Sequence, residues 1–356
     1  MKIRTRRMLG MATAAALSVG LAACGTTDAG SGGSDGGGNA DSDTPKEGPY
    51  AIATVPKVEG ITWFEAMANG VEEFNEDLGD EVDAWQIGPD TEDAAKQVQI
   101  IEDLIAQDVD AIIVVPNDPQ AVSPALTKAR ERGIVVVTHE APALAGTDAV
   151  DYDLEAFDNV EFGERMFEKL AEGMDGEGKF VGMVGSLTSE THMAWYNAGI
   201  AYLEENYPDI EPVTEQPYED DNSDAKARSN ALEILNNYPD LKGFVNGSVS
   251  AGANFAAVLK EKNNKNVTVS SLSLPSIAGP FLEEGWTYSA QTWDPAGAGY
   301  AANMIALSVL KGESIESGLD LGYEGYDSIT VDGELILGDA IMMLEKGQFP
   351  DGDYPF

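Results

Sequence analysis

The run Asp110-Ala-Ile-Ile-Val-Val-Pro116 constrains the fold of this chain more than any other stretch. An unbroken apolar strand, with no polar alternation, is stable only where both faces of a sheet are covered, as in a parallel sheet flanked by helices. The surrounding sequence keeps that rhythm. Residues 51–55 read as a buried strand, followed by a loop carrying Lys57 and a helix beginning near Phe64. Strands are then predicted at 82–86, 110–116 and 133–138. Helices fall between them at 91–107 and 124–132, the first with Ala94, Val98, Ile101, Leu104 and Ile105 on one face. Short joins in a β-α-β-α-β-α-β series imply a doubly wound sheet.

The pattern then repeats. Helices are predicted at 159–172, 193–207, 225–238 and 252–262, with strands at 179–185, 243–247 and 267–272. A helix at 296–310 and short strands near 288–291 and 329–331 follow. The fold class is therefore α/β, with two Rossmann-like lobes in series and a cleft between them.

Charge narrows the partners. The chain has 62 acidic against 21 basic residues, a net charge of −41, whereas phosphate binding requires clustered Lys and Arg; no nucleic-acid partner is expected. At the N-terminus, Lys2, Arg4, Arg6 and Arg7 precede a short apolar run ending in small residues, which is an export signal over 1–23 and too short to span a membrane. It ends in Leu21-Ala22-Ala23-Cys24, which resembles a lipobox, so Cys24, the only cysteine, is expected to carry a lipid. Residues 24–47, rich in Gly, Ser, Asp and Thr, cannot bury enough surface to fold and read as a flexible tether. The expected location is the outer face of the cell membrane.

Loops at the carboxyl ends of parallel strands should line the cleft. The first lobe offers Lys57, Trp63 and Phe64, then Asn117 and Asp118, then His139 and Glu140. The second offers Thr188, Thr191 and His192, then Asn246, Ser248 and Ser273. Trp293-Asp294-Pro295 follows. Carboxylates and amides that grip vicinal hydroxyls, with aromatic rings over C–H faces, suit a sugar or polyol. His139 and His192 have no metal-ligand spacing, and Asp148, Asp151 and Asp153 lack the glycine and closing glutamate of a calcium loop. No metal and no cofactor are expected, and the three acids read as solvated. A glycosidase pair of Glu140 and Asp294 is the enzymatic alternative, but serine-elbow, phosphate-loop and cysteine-nucleophile motifs are absent and no enzyme is expected.

The segments VPKVEGITWFEAMANG, DAIIVVPNDPQAVSPAL, RERGIVVVTHEAP, LTSETHMAW, SLPSIAGPFLEEGWTYSAQTWDPAGAGY and GDYPF, behind the lipobox and tether, resemble the type I solute-binding proteins of bacterial ABC importers. Within that class they are similar to the branch holding autoinducer-2-binding and rhamnose-binding proteins. The resemblance implies two lobes joined by a multi-strand hinge, the periplasmic binding protein type I fold. It divides the chain into a first lobe of 48–143 plus about 275–312, a second of 144–274 plus about 313–345, and a tail at 346–356. It also implies a monomer that captures its ligand by hinge closure and delivers it to an ABC permease and ATPase. Lys57 matches the lysine that contacts ligand in the autoinducer-2-binding relatives, Glu140 stands in for an aspartate, and Asp294 keeps the aspartate of the W-D motif. Thr191, His192, Gly247 and Val249 depart from the pattern of those relatives. The resemblance therefore favours a different sugar or polyol, with autoinducer-2 or rhamnose as the alternative. Presentation of ligand to a sensor kinase is a further alternative.

Overall fold

The computed structural model describes residues 49–349, together with Gly352 and Phe356. The export signal, Cys24, the tether and most of the tail from 350 onward lie outside the described residues. From the amino end, the first lobe runs β1 (Tyr50–Val55), α1 (Thr62–Leu78), β2 (Val82–Gln86), α2 (Ala94–Ala106), β3 (Ala111–Val114), α3 (Pro119–Glu131), β4 (Val135–His139) and β5 (Tyr152–Glu155). The second runs α4 (Asn159–Gly173), β6 (Gly178–Val184), α5 (Glu190–Asn206), β7 (Ile210–Pro212), β8 (Tyr218–Glu219), α6 (Asp224–Asn237), β9 (Gly243–Asn246), α7 (Val249–Glu261), β10 (Thr268–Leu272), α8 (Pro275–Glu284) and β11 (Ser289–Thr292). The chain then returns through α9 (Pro295–Leu310), β12 (Thr330–Asp332) and β13 (Leu335–Leu337), and ends with β14 (Met342–Leu344).

Two sheets result, in the orders β12-β13-β5-β4-β3-β1-β2 and β14-β11-β10-β9-β6-β7. Pairing is parallel throughout except at β12 with β13 and β14 with β11. Every residue of β3 is buried, as its unbroken apolar run requires. The two-lobed α/β architecture read from the sequence is the architecture found.

Strand pairing places the crossings between lobes elsewhere than the sequence boundaries at 143, 275 and 312. β5 lies between β4 and β13 in the first sheet, so the first crossing follows Glu155. α8 and β11 belong with the second sheet, which moves the second crossing to Trp293. β12 and β13 pair in the first sheet, so the third crossing falls between Leu337 and Met342. The physical reason is that these partners are set by contacts remote in sequence. β5 (Tyr-Asp-Leu-Glu) and β11 (Ser-Ala-Gln-Thr) carry too little apolar patterning to announce which sheet they join.

Glycines set how closely the helices approach. A Cβ on Gly70 of α1 would lie 1.9 Å from the Ala296 carbonyl oxygen of α9, and one on Gly163 of α4 would lie 2.3 Å from the Trp195 oxygen of α5. Backbone cannot step aside as a flexible side chain can. Gly70→Ala is therefore expected to lower stability by about 2–3 kcal/mol, read as a shifted midpoint in urea unfolding. An unchanged midpoint would show that the helices separate freely.

Candidate functional site

The lobes meet around a cavity of about 290 Å³ whose walls include Lys57, Trp63, Phe64 and Glu140 from the first lobe and His192, Asn222, Gly247 and Val249 from the second. Trp293, on the second crossing, completes it.

At the centre lies a buried ion pair. Lys57 Nζ stands 2.5 Å from Glu140 Oε2, and both side chains are at most 5% exposed. The second lobe joins this pair directly: Lys57 Nζ donates to Ser189 Oγ at 3.2 Å, and Thr191 Oγ1 donates to Glu140 Oε2 at 3.1 Å. Burial pushes the Glu140 carboxyl up, but the Lys57 ammonium and its hydrogen bond outweigh this, and the net result is a lowering to about 2. Glu140 also has φ +61°, a left-handed backbone that non-glycine residues seldom adopt and that clusters at functional sites.

The histidines play separate parts. His139 Nδ1 bonds the Leu154 carbonyl at 2.6 Å, so that nitrogen carries the proton, and the ring turns edge-on to Trp293. His192 Nδ1 accepts from the Gly185 N–H at 3.2 Å, which puts its own proton on Nε2. Burial, reinforced by Lys57, lowers His192 to about 3, so the ring is a neutral donor at the cavity wall. An aromatic series runs through the hinge behind it. Trp63 meets Trp293 edge-on at 4.5 Å, Trp293 meets Phe157 at 5.1 Å, and Phe162 meets Trp195 at 4.8 Å. The indole Nε1–H of Trp293 is buried and has no partner among the described residues.

Of the residues singled out in the sequence, Lys57, Trp63, Phe64, Glu140 and His192 line this cavity, and Thr191 touches it through Glu140. Asn117, Asn246 and Asp294 lie elsewhere. Asn117 is behind the wall, its Nδ2 donating to the Lys57 carbonyl at 2.9 Å and so holding the loop. Asn246 donates Nδ2 to the Ser248 and Leu272 carbonyls, tying two strand ends together, and borders a smaller void beside Tyr196. Asp294, expected to touch ligand, instead caps α9: Oδ1 accepts from the Ala296 N–H at 2.9 Å and Oδ2 from the Tyr323 hydroxyl at 3.0 Å. The Asp-Pro pair at a helix start is an N-cap signature, and that local demand takes the carboxylate.

That placement also removes the glycosidase pair, since Asp294 is committed to a helix and Glu140 is held ionised, whereas such enzymes need one acid kept protonated. Asp153, read as solvated, is fully buried in β5, while Asp151 pairs with Arg130 at 2.9 Å. Among the described residues, no group of three or more His, Cys, Asp or Glu is disposed to hold a metal. Sequence reasoning missed Asn222 and Asp220, which follow a two-residue strand, β8, too short to register as an element.

Two α/β lobes, three crossings and a cavity between the lobes define a type I binding-protein architecture. Residues 52–314 match the family model of the periplasmic binding protein domain, and the chain belongs to that family. It is 25% identical over 272 residues to the D-ribose/D-allose-binding protein of Pseudomonas aeruginosa, covering 74% of this chain and 83% of that protein. Its fold is similar to LsrB from Clostridium saccharobutylicum in complex with AI-2 (TM-score 0.75, 19% identity, 83% of this chain and 97% of that one). It is also similar to an ABC transporter solute-binding protein from Clostridium phytofermentas with bound L-rhamnose (TM-score 0.76, 18% identity, 85% and 98% covered). The first of these is a sugar-binding protein and the third a solute-binding protein of an ABC transporter; neither is an enzyme. Among the described residues, no helix is long and apolar enough to cross a membrane.

Proposed function

We propose that the chain is the extracytoplasmic binding component of an ABC importer, anchored by a lipid on Cys24, and that it captures an uncharged sugar or polyol between its lobes. The observation that carries this reading is the buried Lys57–Glu140 pair at the cavity wall. Its charges cancel, so a charged ligand would enter without a counter-ion, at a large desolvation cost. Hydroxyl groups, which donate to Glu140 and accept from Lys57 and His192, meet no such penalty. Trp63, Phe64 and Trp293 supply the apolar faces that sugar C–H groups pack against. Relatives that bind ribose, allose and rhamnose support this ligand class. Autoinducer-2 is disfavoured by the altered second-lobe positions Thr191, His192, Gly247 and Val249. The protein acts as a monomer at the outer face of the cell membrane, closing on its ligand and handing it to a permease driven by an ATPase.

The test is a thermal-shift screen of the purified protein against pentoses, hexoses, deoxysugars, polyols, amino acids and dicarboxylates, with calorimetry on every hit. A neutral polyhydroxylated ligand binding at micromolar Kd or tighter is expected, about −8 kcal/mol. Selective binding of a charged solute would overturn the proposal.

A further inference from the structure

Asn222 does more than line the cavity. Its Nδ2 donates to Glu92 Oε2 at 2.6 Å, from the β8–α6 loop of the second lobe to the β2–α2 loop of the first. The amide has one available orientation. The Glu92 carboxylate can only accept, which turns Nδ2 toward it and leaves Oδ1 3.2 Å from Ser248 Oγ. The loop is held from below as well. The Asp220 carboxylate, fully buried, accepts from the Asn222 N–H at 2.9 Å and from Ser248 Oγ at 2.8 Å. Asp221 and Asn222 both take left-handed backbone, φ +52° and +49°, which Asp and Asn tolerate in tight turns. Gly185 leaves room for the amide, since a Cβ there would lie 2.7 Å from Asn222 Nδ2.

We propose that Asn222 and Glu92 form the closing latch of the cleft, with Asn222 as the positioning residue that couples the ligand space to the closed arrangement of the lobes. One amide faces the cavity with part of its surface and spans the lobes with its donor. A ligand that presses Asn222 into place therefore favours the latch, and the latch in turn slows escape of the ligand. The other lobe-to-lobe hydrogen bonds serve as independent reporters. Ala143 N–H donates to Glu190 Oε1 at 3.0 Å, and Thr188 Oγ1 to the Asn117 carbonyl at 3.3 Å.

The inference rests on the binding-protein reading for its consequence, but its test does not need the ligand. Hydrogen exchange in the ligand-free full-length protein is followed at segments 141–145 and 186–192, remote in sequence from the substituted pair. Glu92→Ala and Asn222→Gly, the latter compatible with the left-handed backbone, are each expected to speed exchange there about tenfold, the effect of losing a hydrogen bond to a charged group. The double variant should exchange no faster than either single one, and Glu92→Gln, whose amide oxygen still accepts, should remain close to the original protein. A purely structural role for either residue would make the effects add and would not distinguish Gln from Ala. Additive effects, unchanged exchange in both single variants, or Glu92→Gln as fast as Glu92→Ala would each overturn the latch. With a sugar from the screen, the dissociation rate should follow the same pattern. Failure to find a sugar would count against the ligand class and leave the exchange result standing.

Discussion

Glu140→Ala is expected to reduce ligand affinity at least a hundredfold and to cost about 3–5 kcal/mol of stability, because it strands a buried lysine. Lys57 is 2% exposed and would retain only Ser189 Oγ among the partners described above. The linked pH dependence gives a second reading of the same pair. The Glu140 carboxyl is lowered from 4.5 to about 2 on folding, so its stabilisation is fully present above pH 4.5 and is lost as the pH falls from there toward 2. Over that window the original protein should lose roughly 3 kcal/mol on account of this group. Glu140→Gln, which has no proton to take up, should lack that component. Differential scanning calorimetry between pH 2 and 7, with titration calorimetry of the sugar at neutral pH, measures both. Wild-type affinity in Glu140→Ala would remove the ion pair from the site.

That Lys57 and Glu140 both face the cleft was legible in the sequence, through topology and family resemblance; that they pair with each other was not. Lys57 and Glu140 both follow strands that point into the cleft, and the rule that strand ends carry ligands needs no knowledge of side-chain packing. His192 was found by the same rule. What escaped was decided by competition for polar atoms. The Asp294 carboxylate could have reached a ligand or capped a helix, and Pro295 behind it tips the balance to capping. Asn117 and Asn246 sit at strand ends as expected, yet their amide nitrogens are taken by backbone carbonyls there. Asn222 depends on a contact between residues 130 positions apart, which no local pattern encodes. The same nonlocality hid β5, whose pairing with β13 joins Asp153 to Leu335 and Leu154 to Ile336, residues far apart in the chain.

β5 yields the other large effect. Asp153 and Glu155, two residues apart on one strand, point the same way and are both buried beside the first crossing. Asp153 Oδ1 accepts from Thr138 Oγ1 at 2.6 Å and the Ala141 N–H at 3.2 Å, while Glu155 Oε2 accepts from Asn159 Nδ2 at 2.6 Å. Asp153 Oδ2 and Glu155 Oε1 have no hydrogen-bond partner among the described residues, and a proton shared between the two carboxyls would satisfy both. Burial raises both groups, Asp153 from 3.8 to about 7, against the hydrogen bonds from Thr138 and Ala141; the charge of Asp153 adds to the rise of Glu155. The sign is the reverse of that at Glu140. The folded state holds a proton that the unfolded chain releases near pH 3.8, so this contribution is complete below that value and is lost as the pH rises through 7, by roughly 4 kcal/mol. Asp153→Asn keeps Oδ1 for Thr138 and Ala141 and offers an N–H to Glu155, making the donor permanent. It should therefore stabilise the protein at pH 8 by roughly 2–4 kcal/mol, with a midpoint about 5–10 °C higher, and the gain should vanish below pH 4. Thermal unfolding across pH 3 to 9 decides the matter, and a variant less stable than the original at pH 8 would show that the pair is ionised and paired otherwise. Because β5 leads into the first crossing, the same substitution should leave ligand affinity unchanged if the acids only support the hinge, and should alter its pH dependence if their shared proton sets how the lobes close.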